Sequence, residues 1–318
     1  MTAGRATLPF VIAMHRRRFR VLSVQMKFFC LILGLAMTSI FSASAQVTVT
    51  LTLEQDQFLP SEALPVAVHI TNQSGQPLHL GADPDWLTFS VETGDSSDDS
   101  IIVKKSNPPV QGEFELDSSQ VATKHVDLEP YFDLRQSGHY RVTATVRIKD
   151  WNTKITSPPL GFDVINGAKL WSQVFGVPLP PGVTNRPPEV RKYTLEEANY
   201  LHSQLRMYVQ VSNESGTTIF KVRSIGPMVS FSQPEAQLDQ SSNLHVLYQS
   251  GAASFIYSLI SPDGDVVRQE IYDYISTHPR LHVGDDGSIT VFGGVRRVNP
   301  QEIPMVKSPD ELSAPAKP

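Results

Sequence analysis

From Val47 onward the side chains alternate with a period of two. Val47, Val49, Leu51 and Leu53 fall on one side of an extended chain, and Thr48, Thr50, Thr52 and Glu54 fall on the other. Only a β-strand with one buried face uses that period, because a helix brings every third or fourth residue round to the same side. Leu64, Val66, Val68 and Ile70 repeat the pattern, and Asn72-Gln-Ser-Gly75 then supplies the residues of a turn. Further candidate strands are Leu87/Phe89/Val91, Ile101 to Lys104, Phe114/Leu116, Val121 to Val126, Val142/Ala144/Val146/Ile148 and Leu160/Phe162/Val164. No stretch here keeps apolar residues at three-and-four spacing for three turns, so a helical reading fails. Short strands at this spacing predict an all-β chain that opens with a sandwich.

The segment Asp133-Leu134 followed by Gly138-His139-Tyr140-Arg141-Val142 resembles the entry to strand F of an immunoglobulin-type sandwich. In that fold a tyrosine near the strand start bonds through its hydroxyl to nearby backbone, the tyrosine corner. The resemblance makes Tyr140 that tyrosine and Leu134 a core residue beneath it. Two positions beyond the tyrosine stands Val142 rather than a cysteine, so the likeness is to cysteine-free, bacterial Ig-like domains. It covers about residues 47–165, within a domain placed at 46–168, and implies a fold and no activity.

Residues 169–190 break the rhythm with Val177-Pro-Leu-Pro-Pro-Gly182 and Arg186-Pro-Pro188, which reads as a Pro-rich linker. Trp171 is expected at the junction of two domains. In 191–300, Thr194-Leu-Glu-Glu197 has the spacing of a helix capping box, while Tyr193/Leu195 also suit a strand, so 194–204 stays open between the two. Strands return with Leu205/Met207/Val209/Val211.

The pattern of residues 234–247 then reappears 45 positions later. Pro234, Ala236 and Leu238 fall on Pro279, Leu281 and Val283, the turn Gln240-Ser-Ser242 on Asp285-Asp-Gly287, and Leu244, Val246 and Leu247 on Ile289, Val291 and Phe292. Such a repeat resembles the blades of a β-propeller. Residues 205–298 hold too few units to close a propeller, which leaves two small sheets packed on each other, or several chains completing a ring. The first is the preferred expectation. Residues 301–318 read as a flexible tail.

The amino terminus reads as an export signal. His15-Arg-Arg-Arg-Phe-Arg20 and Lys27 precede an uncharged run from Phe28 to Phe41, and Ser42-Ala43-Ser44-Ala45 offers a cleavage site. The run is short for a membrane span. Residues 1–45 are therefore expected to be removed, leaving Gln46 first, with translation starting at Met1 or Met26. Cys30 is an apolar member of that run.

The signal changes the charge account. The 318 residues carry −5, but 1–45 hold six of the 27 Lys+Arg and no acid, so the rest carries 21 − 32 = −11 and no cysteine. That excludes a basic nucleic-acid face, a disulfide scaffold and thiolate zinc sites.

Candidate chemistry is sparse. His278 and His282 have metal-ligand spacing only on a helix, and Pro279 with Leu281/Val283 predicts a strand there. Asp95, Asp98 and Asp99 could form a loose calcium loop but read as a solvated acidic turn. Trp86, out of phase with Leu87, Phe89 and Val91, either faces outward beside Asp83 and Asp85, where it could stack on a sugar, or packs under a loop at the sandwich end. Asn72 and Asn213 head glycosylation sequons. No phosphate loop, nucleophile elbow or H-E-x-x-H occurs.

No catalytic, metal or cofactor-binding residue is assigned. The expected function is an exported, non-enzymatic binding or structural module of the envelope or extracellular space. Its partner is a protein or glycan, with no nucleic acid and no membrane insertion of the mature, monomeric chain. The alternatives are a secreted protease-inhibitor-like or accessory module, or a hydrolase using carboxylates on the second domain's loops.

Overall fold

The computed structural model describes residues 47–298, apart from 95–100, 103, 180–181, 183–186, 188 and 202–203. The stretch read as an export signal, the Asp95/Asp98/Asp99 loop, His202 and the segment read as a tail lie outside the described residues. The fold is all-β; among the described residues the elements are strands and one 3-10 turn, Glu129–Tyr131. No helix of the described residues is long and apolar enough to cross a membrane.

The first eleven strands are β1 (Val47–Thr52), β2 (Gln57–Phe58), β3 (Pro65–Asn72), β4 (Leu78–Leu80), β5 (Leu87–Thr93), β6 (Ile101–Ile102), β7 (Phe114–Leu116), β8 (Val121–Asp127), β9 (Gly138–Ile148), β10 (Thr153–Thr156) and β11 (Leu160–Val164). One sheet runs β1-β3-β8, and a second runs β2-β11-β9-β5-β6 with β10 also on β9. The two pack face to face. Val47, Val49 and Leu51 of β1, Val66, Val68 and Ile70 of β3, and Val142, Ala144, Val146 and Ile148 of β9 all point into one core. The antiparallel register Val49↔Ile70 and Leu51↔Val68 puts apolar partners opposite each other on that face.

Tyr140 makes the bond of a tyrosine corner. Its hydroxyl donates to the Gln136 carbonyl at 2.7 Å, its ring stacks on Phe162 with centroids 5.5 Å apart, and Leu134 is buried in the same core. β9 ends where Asn152, at φ +47, closes a turn onto the Lys149 carbonyl, a conformation asparagine tolerates better than most residues.

The second half holds β12 (Ala168–Gly176), β13 (Val190–Leu201), β14 (Gln204–Asn213), β15 (Ile219–Pro227), β16 (Glu235–Leu238), β17 (Leu244–Gln249), β18 (Ser254–Ile260), β19 (Val266–Asp273), β20 (Arg280–Val283), β21 (Ile289–Phe292) and β22 (Val295–Arg297). The stretch read as linker thus begins with a strand, β12, which pairs with β13, and Trp171 packs against the core of this half. The segment left open between helix and strand is the strand β13. It is bonded on both sides by β12 and β14 and covered on both faces, Leu195 in one cluster and Ala198 in another. Those tertiary partners outweigh the local capping pattern.

The sheet β12-β13-β14-β15 packs against the sheet β16-β17-β18-β19-β22 through Tyr193, Leu195, Met207 and Val209 on one side and Leu244, Val246, Tyr248 and Ile256 on the other. The second sheet's far face, with Leu247, Phe255 and Tyr257, is covered by the hairpin β20–β21 through Leu281 and Val291. The 45-residue repeat is therefore a pair of stacked hairpins, β16–β17 and β20–β21. Glu235 ties them, accepting from Arg280 at 2.6 Å and from the Leu281 N–H at 2.8 Å.

Candidate interaction groove

Between β15 and β16 the chain makes a β-turn, closed by the Ser232 N–H on the Val229 carbonyl at 3.3 Å. Phe231 occupies its third position at φ +62. Glycine or asparagine normally takes that place, because a Cβ there crowds the backbone. Phe231 is also 99 % exposed, so no packing offsets the strain. A bulky residue held in the left-handed region and presented to solvent is the kind of outlier that marks a contact site.

Phe231 stands at the rim of a groove of 340 Å³ that Tyr248, Phe255, His278, Pro279 and Arg280 also line. His278 meets Phe255 edge-on with centroids 4.5 Å apart and lies 5.7 Å from the Tyr274 ring. Its Nδ1 is 2.8 Å from the Pro279 carbonyl. The wall closes because Gly293 and Gly294 let β21 come close: a Cβ on Gly293 would stand 2.6 Å from the His278 carbonyl oxygen, and one on Gly294 2.6 Å from Pro279 Cγ. Phe292, the register partner of the lining residue Arg280, is 71 % exposed.

The repeat makes the exposure of Phe292 informative. Leu247 stands at the equivalent place in the preceding hairpin and is buried, because β20–β21 lies over it. Phe292 faces outward from β20–β21, and among the described residues no further layer covers it. Equivalent places in the repeat thus differ in burial, because Leu247 has a layer over it and Phe292, among the described residues, has none.

The residues singled out in the sequence lie elsewhere. Trp86 is buried, donates from Nε1 to the Val110 carbonyl at 2.9 Å and meets Phe114 edge-on, so of its two readings the structure takes packing under a loop. Asp83 and Asp85 flank Arg147, at 2.7 and 3.1 Å, and Lys149 reaches Asp83 at 3.3 Å. The hydrogen bonds from Arg147 and Lys149 hold the Asp83 carboxyl below its usual range.

Asn72 is wholly buried, its amide donating to the Gln76 and Leu116 carbonyls, which leaves no free nitrogen for a glycan. Asn213 is tied within its own turn to Thr217 and Thr218. His278 faces the groove while His282 lies 6.2 Å from the Phe292 ring, on a strand rather than a helix. Among the described residues no three His, Cys, Asp or Glu gather as a metal would need.

Three of the second domain's loop carboxylates have fixed partners. Asp263 meets Arg191 at 2.7 Å and Asp265 meets Lys221 at 2.6 Å. Asp239 accepts from the Ser241 and Asn243 N–H groups and lies 3.4 Å from His245 Nε2. His245 Nδ1 in turn bonds Tyr257 at 2.9 Å, and burial pushes the imidazole pKa down. This chain knits strands β17 and β18 together under the last hairpin, away from the groove.

No protein-family model matches the chain, and no curated protein matches it. Among solved structures, Spo0M, a sporulation control protein from Bacillus subtilis, is similar over 55 % of this chain and 83 % of that one, at 12 % identity and a TM-score of 0.29. A likeness that slight transfers neither a fold nor a role.

Proposed function

We propose that the chain is exported, loses its first 45 residues, and acts without catalysis as a binding module for another protein in the envelope or extracellular space. The contact face is the bare side of β20–β21 with the adjoining groove, and the partner supplies an apolar β-layer of the kind that the hairpin itself supplies to β16–β17. The observation that carries this reading is the contrast between Leu247, buried, and its repeat-mate Phe292, exposed. Exposed apolar side chains that gather on a surface mark interaction sites in folded proteins; Phe231 lines the groove, and Phe292 is the register partner of Arg280, which lines it too.

The test is site-specific photo-crosslinking in the producing cells. A photoreactive residue at Phe292 or Phe231 should give one discrete adduct in the envelope or secreted fraction. The same residue at Val121, which is also exposed and apolar but lies on the first sandwich, should not. Adducts at Val121 and none at Phe292 would overturn the assignment.

A further inference from the structure

The first sandwich meets the second domain through the chain around β2. Leu59 packs with Ala198, Tyr208 and Val222. Beside it Glu62 is buried, its Oε2 accepting the Leu59 N–H at 2.8 Å and its Oε1 accepting Gln55 Nε2 at 3.0 Å. Across the joint the register Glu196↔Tyr208 and Ala198↔Arg206 sets those four residues on one face of β13 and β14. The Arg206 guanidinium lies 3.7 Å over the Tyr200 ring, and the Tyr200 hydroxyl donates to the Glu54 carbonyl at 3.2 Å. Satisfaction is incomplete: Arg206 Nε, the Tyr208 hydroxyl and Gln57 Oε1 are buried with no hydrogen-bond partner.

We propose that this joint is a proton-sensitive clamp, in which protonated Glu62 holds the two domains together and ionised Glu62 loosens them. A carboxylate in a dry interface costs desolvation that two N–H donors and one guanidinium only partly offset. The neutral acid keeps both accepted bonds, sheds the buried charge and adds a donor to a face that has a spare acceptor in Gln57.

The groups that act on Glu62 are the Leu59 N–H and Gln55 on its own segment and Arg206 and Tyr208 opposite. Glu196 lies by Gly167 on the same face of β13, with Lys169 as its cation. Burial pushes the Glu62 carboxyl from 4.5 up to about 7, against the lowering effects of the Leu59 N–H, Gln55 and Arg206. A carboxyl raised in the closed form takes up a proton on closure. The clamp is therefore fully effective below pH 4.5 and is lost as pH rises through about 7.

Hydrogen exchange of segment 54–62 in the full mature chain tests this. After correction for intrinsic rates, wild-type protection should fall by about seventyfold between pH 5 and pH 8. Glu62→Gln should be protected equally at both, while Glu196→Gln should keep the wild-type ratio. If Glu62→Gln retains the wild-type ratio, the clamp is wrong. A carbon-13 titration of the wild-type Glu62 carboxyl decides independently of any variant: a midpoint near 7 supports the clamp, and one in the ordinary carboxylate range overturns it.

Discussion

Replacing Phe231 by glycine should stabilise the protein, although it deletes a phenyl ring. Two terms set the size. The ring is 99 % exposed, so its removal forfeits almost no buried area. Holding an L-residue at φ +62 costs about 1–2 kcal/mol, which glycine does not incur. Against this, glycine frees the unfolded chain by about 0.5–1 kcal/mol. The balance is a gain of about 0.5–1 kcal/mol, or about 1–4 °C in melting temperature for a chain of this size. Thermal unfolding followed by circular dichroism measures it directly, with Phe231→Ala as the control that removes the ring and keeps the Cβ. The alanine variant should melt within about 1 °C of wild type. A loss of about 1 kcal/mol or more in both variants would show that the ring supports the fold. Phe231 would then not be a side chain kept at a cost for contact.

The remaining expectations concern the scaffold. Tyr140→Phe removes the hydroxyl that bonds the Gln136 carbonyl and keeps the stack on Phe162, so it should cost about 1 kcal/mol in chemical denaturation with an unchanged m-value. Gly81→Ala should be far worse. Its Cβ would run into the Gly112 carbonyl oxygen at φ +88, and a loss of about 3 kcal/mol or a failure to accumulate folded protein is expected.

Much of this architecture was legible because strand alternation is a local signal. Val47–Leu51 and Val142–Ile148 are buried on alternate residues as their period of two demands, and the repeat marks both hairpins to within two residues. β12 and β13 were hidden for a physical reason. β13 is covered on both faces, so Tyr193, Thr194 and Leu195 are buried in succession and no alternation survives, whereas β12 is an edge strand that buries only Phe175 and so shows no apolar face. The groove was illegible for another reason. Phe231 and Phe292 are large apolar side chains, and only the turn that forces φ +62 and, among the described residues, the lack of a layer over β20–β21 leave them exposed. Gly293-Gly294 was the one local hint, since paired glycines mark close backbone approach. The Glu62 joint joins residues separated by well over a hundred positions, a pairing no local pattern encodes.

The account stands or falls on whether the bare last layer is a contact face. The direct measurement is the affinity of the mature chain, wild type and Phe292→Ser, for the protein captured at that position. The variant should bind at least about tenfold more weakly, the loss of one aromatic anchor, with its melting temperature unchanged. Equal affinity for the two chains would contradict the account.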